Sequence, residues 1–172
     1  MTLELHLRRK WTLHASDRQV VLVKKPYEST EHVVMKALLW ALYLPDYPDL
    51  TVEVAVGDRY KPDVVALSEL GPPRFWGEVG DVSVAKIRSL ARRYRNTHLA
   101  IAKWDARLEP TIAIVTDAIE HLNRQAPVDL LSFPADSAER FMDNDGRIHI
   151  SRDDLEWVRV SERTTARAAL LF

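Results

Sequence analysis

The sequence predicts an α/β fold built on a mixed sheet, and two patterns carry that expectation. Between Thr51 and Val79, short apolar runs are joined by connections too tight for parallel crossovers, which predicts a three-stranded antiparallel meander. A helical pattern over residues 83–95 then leads into the apolar run His98 to Trp104. Roughly a dozen residues of helix is what a right-handed parallel crossover needs. At 172 residues the chain can enclose one hydrophobic core but is short for two ordinary domains, so residues 1–172 are read as a single domain.

Taken in order, Leu3, Leu5 and Leu7 alternate with Glu4, His6 and Arg8, which predicts an edge-like strand over residues 2–9. Its expected hairpin partner is Gln19 to Lys25, across a turn containing Ser16 and Asp17. The span Pro26 to Leu44 predicts a helix capped by Ser29 or Thr30, with Glu31 in its first turn and Val34, Leu38, Ala41 and Leu42 at helical spacing. Leu39, Trp40 and Tyr43 widen its apolar face, so the helix is expected to be well buried, and it stops before Pro45. The meander strands are expected at Thr51 to Val56, Val64 to Leu67 and Arg74 to Val79. In the helix that follows, Val84, Ile87, Leu90, Ala91 and Tyr94 define the inner face.

Pro110 suits the first turn of a helix reaching Leu122, although the β-branched run Thr111 to Thr116 also fits a strand. VDLLSF, residues 128–133, predicts a further strand. Asp143-Asn144-Asp145-Gly146 reads as a turn, His149 as part of a short strand, and Leu155 to Val160 alternates. Trp11, Trp157 and Phe172 are each suited to a core or an interface.

Composition narrows the chemistry. Apolar residues at 47% and charged residues at 28% argue against a largely disordered chain. The absence of cysteine removes disulfides, thiolate catalysis and cysteine-ligated zinc, which leaves oxygen and imidazole as metal donors. A formal net charge of -1 means that nucleic-acid binding would have to come from a local patch. The start, MTLELHLRRKW, is neither a signal peptide nor a membrane span, so no membrane partner is expected and a cytoplasmic location is the default.

The stretch Tyr60 to Tyr94 holds the strongest candidate site. Asp63 heads one apolar run and Glu78 ends another, and a hairpin can bring the two together. Two carboxylates suit a hard divalent cation such as Mg2+ or Mn2+ and leave coordinated waters free to attack phosphorus. Val79 offers a backbone carbonyl as a third ligand, and Glu31 is placed to add a carboxylate or hold a water. Lys86, about one turn into the next helix, is the candidate for offsetting charge on a transferred phosphoryl group. Glu31 as an ordinary first-turn acid and Lys86 as a solvated lysine are the plain alternatives.

Arg88, Arg92, Arg93 and Arg95 follow Lys86 with no acid between them and are candidate phosphate contacts, though such a run also suits a solvated face. The six histidines show no zinc pattern, and His32, beside Glu31, is placed to take part in the site, with a partly buried structural histidine as the plainer reading. Asp143 to Glu156 begins like a calcium loop, but Ile148, His149 and Ile150 fit a strand, and position 12 is Asp154 where a glutamate is expected.

Glu31 on a first helix, Asp63 in a hairpin, the strand end Glu78-Val79-Gly80 and a helix beginning SVAKI together resemble the PD-(D/E)xK, or restriction-endonuclease-like, superfamily. Within it, Pro26 to Trp40 and Trp76 to Lys86 are similar to the YaeQ group of small bacterial proteins, and the resemblance spans mainly residues 26–104. It implies a mixed central sheet with antiparallel hairpin strands, flanked by helices, with Asp63 and Glu78 as metal acids and Glu31 as the helix acid. The superfamily lysine, two positions after the acid, is Gly80 here, which makes Lys86 the natural replacement. The activity implied is Mg2+- or Mn2+-dependent phosphodiester hydrolysis of DNA or RNA. The alternative is a nucleic-acid-binding or protein-interaction protein that keeps the fold without turnover.

Overall fold

The computed structural model describes residues 1–161; Phe172 lies outside the described residues. A six-stranded mixed sheet carries helices on both faces, and a separate two-stranded hairpin covers one of them.

The chain opens with a short helix, α1 (Leu3–Leu7), where alternation predicts a strand. Thr2 caps it, its hydroxyl accepting from the Leu5 N–H at 3.4 Å, and Leu3 and Leu7 remain exposed. The hairpin strand starts later, because Trp11, Leu13 and Ala15 supply the alternation that is buried. Accordingly β1 (Lys10–Ala15) pairs antiparallel with β2 (Arg18–Val23) across the expected Ser16-Asp17 turn, with Trp11 opposite Leu22.

Helix α2 (Thr30–Tyr43) is capped as expected by Ser29, whose hydroxyl accepts from the His32 N–H at 3.1 Å. Twelve of its fourteen residues are buried, the pattern of a helix with protein on all sides. The hairpin contributes Trp11, Leu13 and Leu22 to the same core as Val34, Leu38 and Leu39.

The meander is antiparallel as predicted: β3 (Thr51–Val52), β4 (Val64–Ala66) and β5 (Phe75–Val79). The first of these is shorter than expected, because Glu53 turns out of the strand at φ +55°. Helix α3 (Val84–Arg93), capped by Ser83, returns the chain to β6 (His98–Trp104), parallel to β5. Helix α4 (Glu109–Ile119) decides the open choice at Pro110 in favour of a helix, burying Thr111, Val115 and Ile119 at four-residue intervals.

Next, β7 (Val128–Phe133) adds in parallel to β6. A five-residue helix, α5 (Ser137–Phe141), follows it and is too short to leave a periodic signal. His149 lies outside any strand: Ile148 N–H donates to the His14 carbonyl at 2.7 Å, so this segment leans on β1 through one isolated bridge, His14 to Arg147. Strand β8 (Glu156–Val160) completes the sheet antiparallel to β7. Trp157 packs partly buried against the core that fully buries Trp11.

One face of the sheet packs on α2, the other on α3 and α4. Close approach of α2 depends on Gly77 of β5, where a Cβ would come within 2.7 Å of Leu39 Cδ2. At the opposite end of α2, Asp129 of β7 is completely buried. It accepts from Tyr43 Oη at 2.6 Å, His98 Nε2 at 2.6 Å and Arg159 Nε at 2.8 Å. Because an ionised carboxylate only accepts, His98 donates to it from Nε2, and Nδ1 lies 2.9 Å from the Tyr47 hydroxyl.

Burial by itself would raise the Asp129 pKa, but the bonds from His98, Arg159 and Tyr43 hold it at about 2, below its ordinary 3.8. The folded value is depressed, so this stabilisation is complete above the unfolded pKa and is lost as pH falls through the folded one. Replacing Asp129 by Ala should cost about 3 to 5 kcal/mol in urea unfolding at pH 7, as expected for one partner removed from a buried charge network. The gap to wild type should narrow by about 2 kcal/mol between pH 4 and pH 2. A gap that stays constant across that interval would contradict an ionised Asp129.

Candidate functional site

The candidate site lies at the C-terminal end of β5, where open α/β sheets commonly bind ligands. Asp63 stands just ahead of β4, its backbone N–H donating to the Gly77 carbonyl at 3.1 Å. Its side chain reaches along the neighbouring strand, where Oδ2 accepts from the Val79 N–H at 2.9 Å. Oδ1 faces His32 Nε2 at 3.4 Å.

Glu78 projects from β5 on the same side as Trp76, as residues two apart on a strand must. The indole Nε1 of Trp76 donates to Glu78 Oε1 at 2.7 Å, and Lys86 Nζ donates to Oε2 at 2.6 Å. Lys86 comes from the first turn of α3, which the Ser83 cap fixes by accepting from the Lys86 N–H at 3.2 Å. Its ammonium also lies 5.2 Å from the centre of the Tyr60 ring, a cation–π contact. The structure therefore brings Asp63, Glu78, Val79 and Lys86 to one strand end.

Glu31 occupies the first turn of α2, half-buried, and its side chain makes no hydrogen bond or ion pair among the described residues. Among those residues no three carboxylate or imidazole side chains gather as a group able to hold a metal ion. The basic run is partly neutralised. Arg88 pairs with Asp117 at 2.7 Å, Arg93 pairs with Asp58, and Arg95 donates to the backbone carbonyl of Arg92.

Gly80 has φ +82°, a left-handed conformation that strains any residue with a side chain. The backbone therefore disfavours a lysine at this position.

A second group of charges adjoins the acids. Lys36, 1% exposed, bonds Glu28 and Glu53, the latter at 2.8 Å, and Lys25 joins Glu53 at 3.1 Å. His32 links this group to the site, with Nε2 3.7 Å from Glu28 and 3.4 Å from Asp63. Sequence reasoning passed over Glu28, Lys36 and Glu53. The signal was Lys36, the one charge inside the apolar run VVMKALLW. Burial works against the Glu53 carboxylate, but bonds from Lys36 and Lys25 keep its pKa below the usual range.

The structure resembles two solved proteins. It matches the YaeQ protein from Xanthomonas axonopodis pv. citri at 18% identity and a TM-score of 0.52, over 72% of each chain. It matches the YaeQ protein from Pseudomonas syringae at 19% identity and a TM-score of 0.56, over 74% of this chain and 71% of the other. At these identities the likeness is one of fold. No family model matches the sequence, and no curated protein matches it. No helix among the described residues is long and apolar enough to cross a membrane.

Glu78 is 4% exposed, and burial pushes its pKa up despite the bonds from Lys86 and Trp76, with the charge of Asp63 adding to the rise. The folded value lies above the ordinary 4.5, so stability falls as pH rises from that value through the folded one. Glu78→Gln removes the charge and keeps the shape. Its melting temperature at neutral pH should equal or exceed that of wild type, and the advantage should shrink as pH is lowered toward 4.5. A variant that melts lower than wild type at every pH would contradict this reading.

Proposed function

We propose that this chain is a YaeQ-like protein with the restriction-endonuclease-like core of the PD-(D/E)xK superfamily, hydrolysing phosphodiester bonds of DNA or RNA in the cytoplasm. The observation that carries the reading is the 2.6 Å contact between Lys86 Nζ and Glu78 Oε2, at the strand end that also holds Asp63. A helix-borne lysine stands at the acid whose strand neighbour Gly80 cannot supply one.

The donor set fits a magnesium-type cation. Mg2+ is held by one or two carboxylates and keeps several waters, so Asp63, Glu78 and the Val79 carbonyl are enough to hold it. Burial and the neighbouring charge of Asp63 oppose the charge of Glu78, and a dication relieves both. When bound, Mg2+ or Mn2+ supplies a polarised phosphoryl group and a water of lowered pKa. The protein's own residues orient the pair: Val79 N–H fixes Asp63, and Trp76 fixes Glu78. Lys86 brings a positive charge that offsets the negative charge growing on the phosphoryl oxygens.

A second reading, a binding protein without turnover, draws support from the partners already present on Asp63 Oδ2 and on both Glu78 oxygens. Cleavage assays with Mn2+ or Mg2+ on single-stranded, double-stranded and branched DNA and RNA separate the two. Under the nuclease reading, wild type cleaves at least one substrate in a metal-dependent way, and Glu78→Gln abolishes cleavage. Lys86→Ala should then slow cleavage by about 10²- to 10³-fold. Absence of metal-dependent cleavage, or cleavage unaffected by Glu78→Gln, favours the binding protein.

A further inference from the structure

The acids need a path by which a polyanion reaches them, and α3 is a poor one, since Arg88 and Arg93 are both paired with aspartates. A different basic surface lies near the start of α2. There a cleft of about 210 Å³ is lined by His6, Leu7, Arg9, Lys24, Lys25 and Pro26, with no acid in its wall.

Its cations are available to different degrees. Arg9 is exposed and makes no side-chain hydrogen bond or ion pair among the described residues. The Lys24 ammonium is held by neutral oxygens alone, the His6 carbonyl and the Thr30 hydroxyl, both at 2.9 Å. Two of its three donors are used, and its full charge remains uncompensated. Lys25 is 60% exposed and shares Glu53 with Lys36. Tyr27 stands beside Pro26, fully exposed at 102% and without contacts among the described residues.

The cleft is also joined to the acid pair. Lys25 N–H donates to Glu28 at 3.0 Å, Glu28 faces His32, and His32 faces Asp63. The Lys25 ammonium is favoured first by its bond to Glu53, and also by the charges of Glu28 and Asp63, which puts the cleft within electrostatic reach of the site. Unpaired cations beside an exposed aromatic ring form the usual platform for single strands, with phosphates on the cations and a base on the ring.

We propose that this cleft seats a phosphate of a single-stranded nucleic acid, that Tyr27 stacks the adjoining base, and that the strand runs from there to Asp63 and Glu78. The assignment rests on the nuclease reading for the use of the strand but not for its binding. Duplexes are poorer ligands, because their bases are not free to stack on Tyr27.

The test is fluorescence anisotropy with labelled single-stranded DNA and RNA oligonucleotides and the full-length Glu78→Gln protein without added metal. Adding Arg9→Ala and Lys25→Ala together should weaken binding by about tenfold or more and lower the salt slope by about 1 to 2. Tyr27→Ala should weaken single-strand binding by about fivefold or more, and duplex binding less. Arg92→Ala with Arg95→Ala should change it by less than about twofold. Arg9→Ala and Tyr27→Ala alter exposed side chains that make no hydrogen bond or ion pair among the described residues, so both variants should melt with the parent.

Affinity that ignores the cleft variants, or that falls equally with the Arg92 and Arg95 pair, overturns the assignment. So does the absence of oligonucleotide binding. Cleft-dependent binding without metal-dependent cleavage by the wild-type site leaves the cleft standing and removes the nuclease reading. Cleavage insensitive to Arg9 and Lys25 does the reverse.

Discussion

Helix α2 has almost no face left for water, and much else in the molecule follows from how it is held. The hairpin covers one side with Trp11, Leu13 and Leu22, and the sheet covers the other. Gly77 brings sheet and helix into contact at Leu39, where even a methyl group would collide. Burying an apolar side chain such as Leu or Val is worth roughly 1.5–3 kcal/mol, so a helix buried on all sides is a large part of the core. It is also the rod that sets the spacing between two polar clusters. Its first turns carry His32 to Asp63 and Lys36 to Glu53, and its last turn carries Tyr43 to Asp129.

These clusters solve the problem of a buried carboxylate in opposite ways. Around Asp129, three side chains from α2, β6 and β8 donate, and the acid remains ionised far below its usual range. Everything there is paired, which suits a structural tie between the helix and the sheet. Around Glu78, two donors do not offset burial and the nearby charge of Asp63, so the proton is held more tightly than in water. Strain of that kind costs stability and is characteristic of sites that await a cation or a substrate. The contrast sets the two carboxylates apart, although both are buried.

Much of the architecture was legible because it rests on local signals. The Ser29 cap, the tight meander connections and the helical crossover into His98 each fix their element within a few residues. The first residues misled because Leu3, Leu5 and Leu7 alternate like a strand. Thr2 caps a helix there instead, and the neighbouring Trp11, Leu13 and Ala15 form the stronger buried face. Asp63, Glu78 and Lys86 could be singled out because the hairpin and the next helix determine their approach. Glu53 could not, since its inward turn depends on a positive φ that no short sequence pattern announces. The pairing of Arg88 with Asp117 and of Arg93 with Asp58 joins residues 29 and 35 positions apart, beyond the reach of helix periodicity.

Gly80 has one more consequence. A lysine on the strand itself would be held near the acid by the pleat, whatever surrounded the sheet. Here the ammonium is mounted on α3, which Ile87, Leu90 and Ala91 seat against Trp76, Leu99 and Ile101. The distance between the two charges is thus set by how that helix rests in its apolar bed. Exchanging one aliphatic side chain for another, well away from any carboxylate, would tilt the lever that carries the charge. Geometry that a strand would dictate locally has become a property of the hydrophobic core.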